Sequence, residues 1–437
     1  MSGGIASIRE DFIKLQPAKR WSFQNSTRKE TTAFTHSYHR YPAKFIPQIV
    51  QKIIRQYAPK GDETICDPFG GCGTTLVEAK LLGRRSIGFD VNPIAKLITQ
   101  TKITPIDPEN LEKAVIKFRS YFGQQGNDVR LEHHPRISYW FDNDTIGELD
   151  KIYFAIKRIS NFEIQRFFLC AFSHNLKNSS RWLMKSIKPT VDKSKVIAHP
   201  FNSFMNHLDS MVRKNRDFYE QLASSGNIKT KCEMRVKDST KKWPLVDESI
   251  DLIITSPPYV TSYEYADLHQ LSLLWFGDDP NQFKRLHRYT REFDQFRKQF
   301  IGTSYKEKKQ GAFGSNLAEE IVEQLYCKDR RLASDVANYY LDMNKAFKQM
   351  YRVLKVGGKA GLIIGNTELK GVAIENAQVA AEQMHNAGFM NQKYIKREIT
   401  NKLITPWRDA KTGKFTGLEN SDKKRVYQYE YVLLMQK

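Results

Sequence analysis

Residues 63–92 read ETICDPFGGCGTTLVEAKLLGRRSIGFDVN, and this stretch decides the fold. A short apolar run is followed by a turn with several glycines, by a helical pattern that stops at Gly83, and by a second apolar run that ends in an acid. A strand, a turn, a helix and a second strand in this order open a parallel sheet. We therefore predict an α/β fold.

The rest of the chain predicts one α/β domain with two helical insertions. Ile49, Val50, Ile53 and Ile54 recur at helical spacing before the opening strand. Apolar strand patterns return in SIDLIITSPPY and KAGLIIGN, and the last two candidates, NQKYIKREIT and YQYEYVLLMQK, suggest an antiparallel hairpin with a long connection. We expect a loosely packed lead-in and the following division: lead-in 1–35; catalytic domain 36–105, 231–276 and 336–437; helical insert 106–230; basic and aromatic insert 277–335.

The composition favours a nucleic-acid partner. The 437 residues include 69 Lys and Arg against 48 Asp and Glu, a net charge of +21. Such an excess suits a polyanion, although a solvated basic surface has the same composition. No apolar run approaches the length of a membrane helix and the first residues, MSGGIASIREDFIKL, carry charges, so we expect a cytoplasmic protein without membrane contact. The five scattered cysteines predict neither a disulfide framework nor a metal site.

The charge within the two inserts is uneven. Residues 177–195 contain six basic residues and one acid, Asp192. Residues 281–310 contain nine basic residues and three acids, interleaved with Phe283, Tyr289, Phe293, Phe296, Phe300 and Tyr305. Basic residues mixed with aromatic ones suit backbone neutralisation with base stacking, whereas the alternative is a solvated face over packed aromatics. Either insert is a candidate for DNA contact.

The turn from Asp67 to Thr75 is a candidate ligand-binding loop. Its glycines allow close approach of a ligand, and a helix begins directly after it. The spacing matches neither the dinucleotide pattern G-x-G-x-x-G nor a P-loop. Asp67 at the strand end suits a cationic amine, and Asp90 at the end of the next strand suits ribose hydroxyls. S-adenosylmethionine meets both demands, although glycine turns of this kind also occur without a ligand.

The sequence Thr255-Ser256-Pro257-Pro258-Tyr259 is the candidate catalytic loop. Proline has no N–H donor, so the Ser256 hydroxyl and the Pro257 carbonyl offer acceptors for the two hydrogens of an exocyclic amine. Tyr259 offers a ring on which a flat base can stack. An isolated SPPY is more often a plain turn, but here it follows a glycine-rich ligand loop.

These motifs, in this order, resemble the S-adenosylmethionine-dependent amino-methyltransferases that act on DNA, in particular their N4-cytosine branch. The similar segments are HSYHRYPAKF, DPFGGCGTTLVEAKLLGRRSIGFDVNP, VKDST, TSPPY and YRVLKVGGKAGLIIGN, with the closing strands, over about 35–105 and 230–437. The resemblance implies a Rossmann-like, mostly parallel sheet of seven strands with the last one reversed. It implies cofactor contacts from Tyr41, Phe45, Asp67, Pro68, Gly71, Gly73, Thr74, Thr75, Asp90, Asn92 and Asp238, and catalysis by Ser256, Pro257, Pro258 and Tyr259.

The resemblance also implies a substrate and partners. Adenine enzymes of the family usually begin the catalytic loop with Asp or Asn and N4-cytosine enzymes with Ser or Thr, so Ser256 favours a cytosine flipped out of double-stranded DNA. A cognate restriction endonuclease is a candidate partner. Three alternatives stay open: an adenine-N6 enzyme, an RNA guanine-N2 enzyme, and a DNA-binding regulator that has lost turnover.

Overall fold

A seven-stranded sheet forms the centre of the fold. It is seen in a computed structural model that describes residues 5–42, 44–126, 129–260, 265–277, 293–399, 407–409, 416–426 and 428–437. The strands are β1 Thr64–Asp67, β2 Arg85–Asp90, β3 Cys232–Val236, β4 Ile250–Thr255, β5 Leu354–Ile364, β6 Thr367–Leu369, β7 Val372–Ile374, β8 Met390–Glu398, β9 Trp407–Asp409, β10 Lys423–Arg425 and β11 Tyr429–Gln436.

The strand order of the large sheet is β3-β2-β1-β4-β5-β11-β8. Strands β3, β2, β1, β4 and β5 run parallel; Cys66, for example, lies between Ile87 of β2 and Ile253 of β4. Strand β11 is antiparallel to both of its neighbours, β5 and β8. This arrangement confirms the predicted α/β class and the reversed last strand. The predicted closing hairpin is the β8–β11 pair, and residues 400–406 and 410–415 of its connection lie outside the described part.

Helices cover both faces of this sheet and build a separate helical layer. The amphipathic pattern around Ile49 and Ile53 forms a helix whose apolar side chains are buried, as its spacing predicts. The helices are α1 Ile5–Lys14, α2 Lys19–Ser22, α3 Arg28–Thr31, α4 Pro47–Tyr57, α5 Thr74–Leu81, α6 Pro93–Ile103, α7 Pro108–Gly123, α8 Ile137–Trp140, α9 Asn143–Lys157, α10 Phe162–Asn178, α11 Pro200–Ser224, α12 Gln270–Phe276, α13 Phe293–Arg297, α14 Asn316–Tyr326, α15 Arg330–Val353 and α16 Asn376–Asn386. Two short 3₁₀ helices span Phe34–Ser37 and Asp267–His269.

The expectation of a loosely packed lead-in over residues 1–35 is wrong for the described part of that segment. Ile8 and Phe12 of α1 are buried, and the Phe12 ring centroid lies 4.6 Å from that of Tyr394 on β8. The backbone N–H of Ala18 donates to the carbonyl of Lys396 over 2.8 Å. The segment therefore covers the β8 edge of the sheet, because its apolar residues have partners almost 400 residues away.

Residues 106–230 form the helical layer, from α7 to α11. The described part of this insert adds no strand to the large sheet and contains one isolated bridge, between Trp182 and Val191. Helix α12, which the predicted division assigns to the catalytic domain, packs into the core of this layer, with the Trp275 ring 5.6 Å from that of Phe172. Of the insert at 277–335, residues 278–292 lie outside the described part, and Phe283 and Tyr289 with them.

Among the described residues no helix combines the length and the apolar character that a membrane crossing requires. All five cysteines are free thiols.

Candidate active site

A cleft opens where the carboxyl ends of the parallel strands meet, the usual ligand position in sheets of this kind. It encloses about 840 Å³, part of it open to solvent. The residues around it come from seven separate stretches of the sequence. They are Tyr41, Pro42, Lys44, Phe45, Pro68, Phe69, Gly70, Gly71, Cys72, Thr74, Asp90, Val91, Lys237, Asp238, Ser239, Ser256, Pro257, Pro258, Tyr265, Gln299, Phe300 and Ile301.

The glycine-rich turn after β1 forms the floor of this cleft. Gly71 and Gly73 have φ angles of +48° and +78°, a region that favours glycine. A Cβ at Gly73 would stand 2.5 Å from the Thr99 side chain, and one at Gly71 would stand 3.1 Å from the Tyr41 hydroxyl. Both positions therefore require glycine. Helix α5 begins at Thr74, so its first N–H groups face this loop.

Asp67 is buried directly beneath the loop. Its Oδ1 accepts hydrogen bonds from the Thr255 hydroxyl over 2.6 Å and from the Phe69 backbone N–H over 3.1 Å. Burial raises the pKa of Asp67 to about 6, although hydrogen bonds from Thr255, Thr75 and Phe69 oppose the shift. Asp67 is not among the cleft-lining residues. Its carboxylate supports the loop from below and ties it to the strand that precedes the catalytic segment.

Asp90 closes β2 and lines the cleft. Its two carboxylate oxygens accept bonds from the backbone N–H groups of Gly71 over 3.1 Å and Asn92 over 2.8 Å. Burial raises its pKa to about 6 as well, and the nearby Asp67 adds to the rise. Negative charge from one buried carboxylate in the lining, Asp90, and from a second one just behind it, Asp67, suits a ligand with cationic and hydroxyl groups. S-adenosylmethionine is such a ligand, so these residues fit the predicted cofactor.

Lys44 supplies positive charge to the same cleft. Its Nζ donates to the His36 carbonyl over 2.9 Å, and burial, with the nearby Lys102, lowers its pKa to about 8. A half-buried ammonium of this kind suits the carboxylate of an amino acid. Lys44 was not predicted as a site residue, although it lies within the segment HSYHRYPAKF.

The catalytic candidates follow β4 into the cleft. Ser256, Pro257 and Pro258 line it, together with Asp90 and Asp238. Tyr259 lies behind the lining, where its backbone N–H donates to the Tyr265 hydroxyl over 3.2 Å. Its ring lies near Gly365, since a Cβ there would stand 3.7 Å from a Tyr259 ring carbon.

Asp238 and its neighbours form the far end of the cleft. The Oδ1 atom of Asp238 accepts bonds from the Thr240 backbone N–H over 2.9 Å and from the Thr240 hydroxyl over 2.7 Å. The buried Ser239 hydroxyl donates to the Pro68 carbonyl and so joins this loop to the glycine-rich turn.

Most predicted site residues therefore meet at one cleft, and a smaller group lies behind it. Tyr41, Phe45, Pro68, Gly71 and Thr74 line the cleft, as do the residues from β2, β3 and β4 described above. Three more of the predicted residues support the lining in the way that Asp67 does. They are Gly73, Thr75 and Asn92. Gly73 is the N-cap of α5, and the Thr75 hydroxyl donates to the Ile254 carbonyl over 3.3 Å. Asn92 is the N-cap of α6, and its side chain is hydrogen-bonded to His269.

The second insert contributes residues to the cleft that were not predicted as site residues. Gln299, Phe300 and Ile301 line the cleft, and the nearby Arg297 forms an ion pair of 2.7 Å with Asp267, soon after the catalytic loop. The mix of basic and aromatic residues in 281–310 was the available signal, but it did not show which of them reach the cofactor side.

The strand order, the glycine-rich loop at its centre and the two buried carboxylates define a Rossmann-like methyltransferase domain. Residues 12–100 match the family model described as DNA methylase, N6_N4_Mtase. The chain is 28% identical over 415 residues to Type II methyltransferase M.MvaI of Kocuria varians. The alignment covers 90% of this chain and 89% of that protein. The chain is 23% identical to Type II methyltransferase M.BsoBI of Geobacillus stearothermophilus, over 81% of this chain and 78% of the relative.

Among solved structures, the rRNA methyltransferase aviRa from Streptomyces viridochromogenes aligns over 94% of this chain and 93% of that chain, with 9% identity and a TM-score of 0.33. The fold assignment rests on the strand order and not on this alignment. By these sequence matches the chain is similar to the DNA amino-methyltransferases of the N4/N6 family, and the matches support that class for it. They also confirm S-adenosylmethionine as the cofactor.

Proposed function

We propose that the protein is a site-specific DNA methyltransferase that modifies the exocyclic N4 amine of a cytosine flipped out of the duplex. One observation carries the proposal: Ser256, Pro257 and Pro258 line the same cleft as Asp90 and Asp238. An amine held by the catalytic loop is thus held beside the predicted cofactor residues. The base has to leave the stack to enter this cleft, which costs a few kcal/mol and is offset by contacts in the pocket.

The proposed roles follow from the chemistry of each side chain. When bound, S-adenosylmethionine supplies an electrophilic methyl group. Asp90 accepts hydrogen bonds from the ribose hydroxyls, Asp238 contacts the adenine, and the glycine turn, which Asp67 supports from below, holds the methionine end. Ser256 Oγ and the Pro257 carbonyl accept the two amine hydrogens, which favours a more tetrahedral nitrogen with an available lone pair. Positioning and electrostatics then supply most of the acceleration, without a covalent enzyme intermediate.

The amine contact is tested by a serine substitution. We expect Ser256→Ala to lose most methyl transfer to duplex DNA while S-adenosylmethionine binding, measured by calorimetry, stays close to the parent value. The matched control is Ser249→Ala, at the amino end of the strand whose carboxyl end leads into the catalytic loop, where the hydroxyl donates to the Val246 carbonyl. Normal turnover by the Ser256 variant would overturn the catalytic assignment.

The identity of the modified base is tested by digesting methylated DNA to nucleosides and measuring their masses by mass spectrometry. N4-methylcytosine supports the proposal, and Ser256 at the start of the loop favours it. N6-methyladenine would assign the enzyme to the adenine branch, methylated guanine in RNA would change the substrate class, and absence of cofactor binding would favour a DNA-binding regulator.

The system context is also a proposal. Relatives named Type II methyltransferases support a restriction-modification or epigenetic role, with a cognate restriction endonuclease as partner. Methylation-sensitive sequencing of DNA from cells that express the protein would give the modified site. We propose that the inserts at 106–230 and 277–335 contact this DNA, because each contains a basic stretch and the second reaches the cleft.

A further inference from the structure

Three cations meet at the carboxyl end of helix α10. The Arg40 guanidinium donates to the His174 carbonyl over 3.3 Å and to the Asn178 side chain over 2.7 Å. The Lys195 Nζ donates to three carbonyls, at 2.6 to 3.1 Å, one of them that of Lys177. Arg40 belongs to the segment before the sheet and the lysines to the helical insert, so residues distant in the sequence converge here.

The hydrogen bonds of this cluster lead to neutral groups. The Lys177 Nζ donates to the Ser186 carbonyl over 2.7 Å. Burial, together with the positive charge of Arg40, lowers the pKa of both Lys177 and Lys195 to about 8. The Asp192 carboxylate opposes this shift at Lys195 by raising its pKa. One Asp192 oxygen already accepts two hydrogen bonds from Ser194. Positive charge is therefore in excess at this point.

The loop that follows α10 adds more positive charge on its outer side. Lys185, Lys188 and Lys193 are exposed. The loop is held in shape by the bridge between Trp182 and Val191, and the buried Trp182 ring stacks on Trp140 at 5.2 Å. Five of the six basic residues between 177 and 195 thus belong to one folded loop, and the sixth, Lys177, lies in the last turn of α10. We call this loop, with Arg40, the basic loop surface.

The basic loop surface adjoins the active-site cleft. Arg40 directly precedes Tyr41, which lines the cleft and contacts the glycine-rich turn. Consecutive Cα atoms are about 3.8 Å apart, so an exposed arginine at this position lies within a few ångströms of the rim. A polyanion bound at Arg40 therefore lies beside the cleft.

We propose that the basic loop surface binds the phosphodiester backbone of duplex DNA next to the nucleotide that enters the cleft. This inference rests on the proposed function, and it names the helical insert as a backbone contact. Guanidinium and ammonium groups that bond only to neutral acceptors keep most of their charge available for phosphate. Capping of α10 accounts for cations at its carboxyl end, but it does not account for three further exposed lysines on the same loop.

The test is the salt dependence of DNA binding by the full-length chain. A variant with Lys185, Lys188 and Lys193 changed to Gln is compared with the parent, by fluorescence anisotropy with a mixed-sequence duplex at 50 to 200 mM salt. If each lysine neutralises one phosphate, the slope of log K against log salt falls by about 2.7, so the parent loses roughly 40-fold more affinity than the variant across this range.

The matched control removes the same charge elsewhere. Lys60, Lys229 and Lys231 are exposed and lie before β1 and β3, at the sheet edge opposite the cleft. Their triple Gln variant is expected to keep at least most of the parent slope. Equal slopes for the two triple variants would overturn the inference.

Arg40 is tested separately with Arg40→Gln and Arg40→Lys. We expect the glutamine variant to bind the duplex several-fold more weakly and the lysine variant to recover most of the loss. Cofactor binding by calorimetry serves as the check on folding. If the parent methylates DNA while none of these changes alters duplex binding, the inference fails and the proposed function stands. If the parent does not bind duplex DNA, the proposed function itself fails.

Discussion

Thr255→Val removes the hydrogen bond that joins the cofactor loop to the strand before the catalytic segment. The Thr255 hydroxyl donates to Asp67 over 2.6 Å, and both side chains are almost wholly inaccessible to solvent. A hydrogen bond to a charged group contributes about 1.5–3 kcal/mol, and Asp67 keeps its bonds from Phe69 and Thr75. We therefore expect the free energy of unfolding of the Thr255→Val variant to fall by about 2 kcal/mol at pH 8, where the carboxylate is ionised. The pKa of Asp67 would rise by about one further unit.

The comparison variant is Thr255→Ser, which keeps the hydroxyl and loses one methyl group, worth about 0.8 kcal/mol. Urea unfolding of both variants at pH 8 and pH 5 separates the hydrogen bond from the packing. Below pH 6 Asp67 is largely protonated in the folded state. The Thr255 hydroxyl then forms a hydrogen bond with a neutral carboxyl group, and this bond stabilises the fold less than a bond to a carboxylate. The difference in the free energy of unfolding between the two variants should therefore decrease by about 1 kcal/mol as the pH falls from 8 to 5. A difference that is the same at both pH values would refute this account of Asp67.

Three more predictions follow from particular contacts. S-adenosylmethionine affinity should fall as the pH drops through about 6, because Asp90, which lines the cleft, binds the ligand as an anion; calorimetry across pH 5–8 measures this, and Asp90→Asn should flatten most of the profile. Tyr265→Phe removes the acceptor for the Tyr259 N–H, so kcat should fall about tenfold while the cofactor Kd stays within about twofold. Equal losses of kcat and of cofactor affinity would contradict this positioning role and would indicate that the substitution disturbs the fold of the whole site. Phe12→Ala should lower the free energy of unfolding by about 3 kcal/mol, as urea denaturation would measure, and a change below about 1 kcal/mol would contradict the packing of α1.

The centre of the sheet could be predicted because its signals are local. The strand before Asp67, the glycines at 71 and 73 and the strand that ends at Asp90 lie within 30 residues, and each conformation follows from the residues themselves. The positions of the catalytic loop and of Asp238 followed from the same rule, since parallel strands bring their carboxyl ends to one edge.

The rest depended on contacts between distant residues. Ile8 and Phe12 have helical spacing, but nothing near them in the sequence indicates that Tyr394 and Tyr431 contact Phe12. Asp67 was predicted to face the ligand, whereas the hydroxyl of Thr255, 188 residues later, holds its carboxylate behind the lining.

Lys44 and the stretch Gln299–Ile301 were missed for the same reason. Their residue types are ordinary, and only the folded chain brings them to the cleft.

The position of β11 has a consequence for protein synthesis. Strand β8 is translated first, yet its sheet neighbour in the described part of the chain is β11, which also covers the free side of β5. A nascent chain that has emerged as far as Glu398 therefore exposes two unpaired sheet edges. Unpaired edges recruit other strands, so a ribosome that pauses between these two strands should increase aggregation and the demand for chaperones.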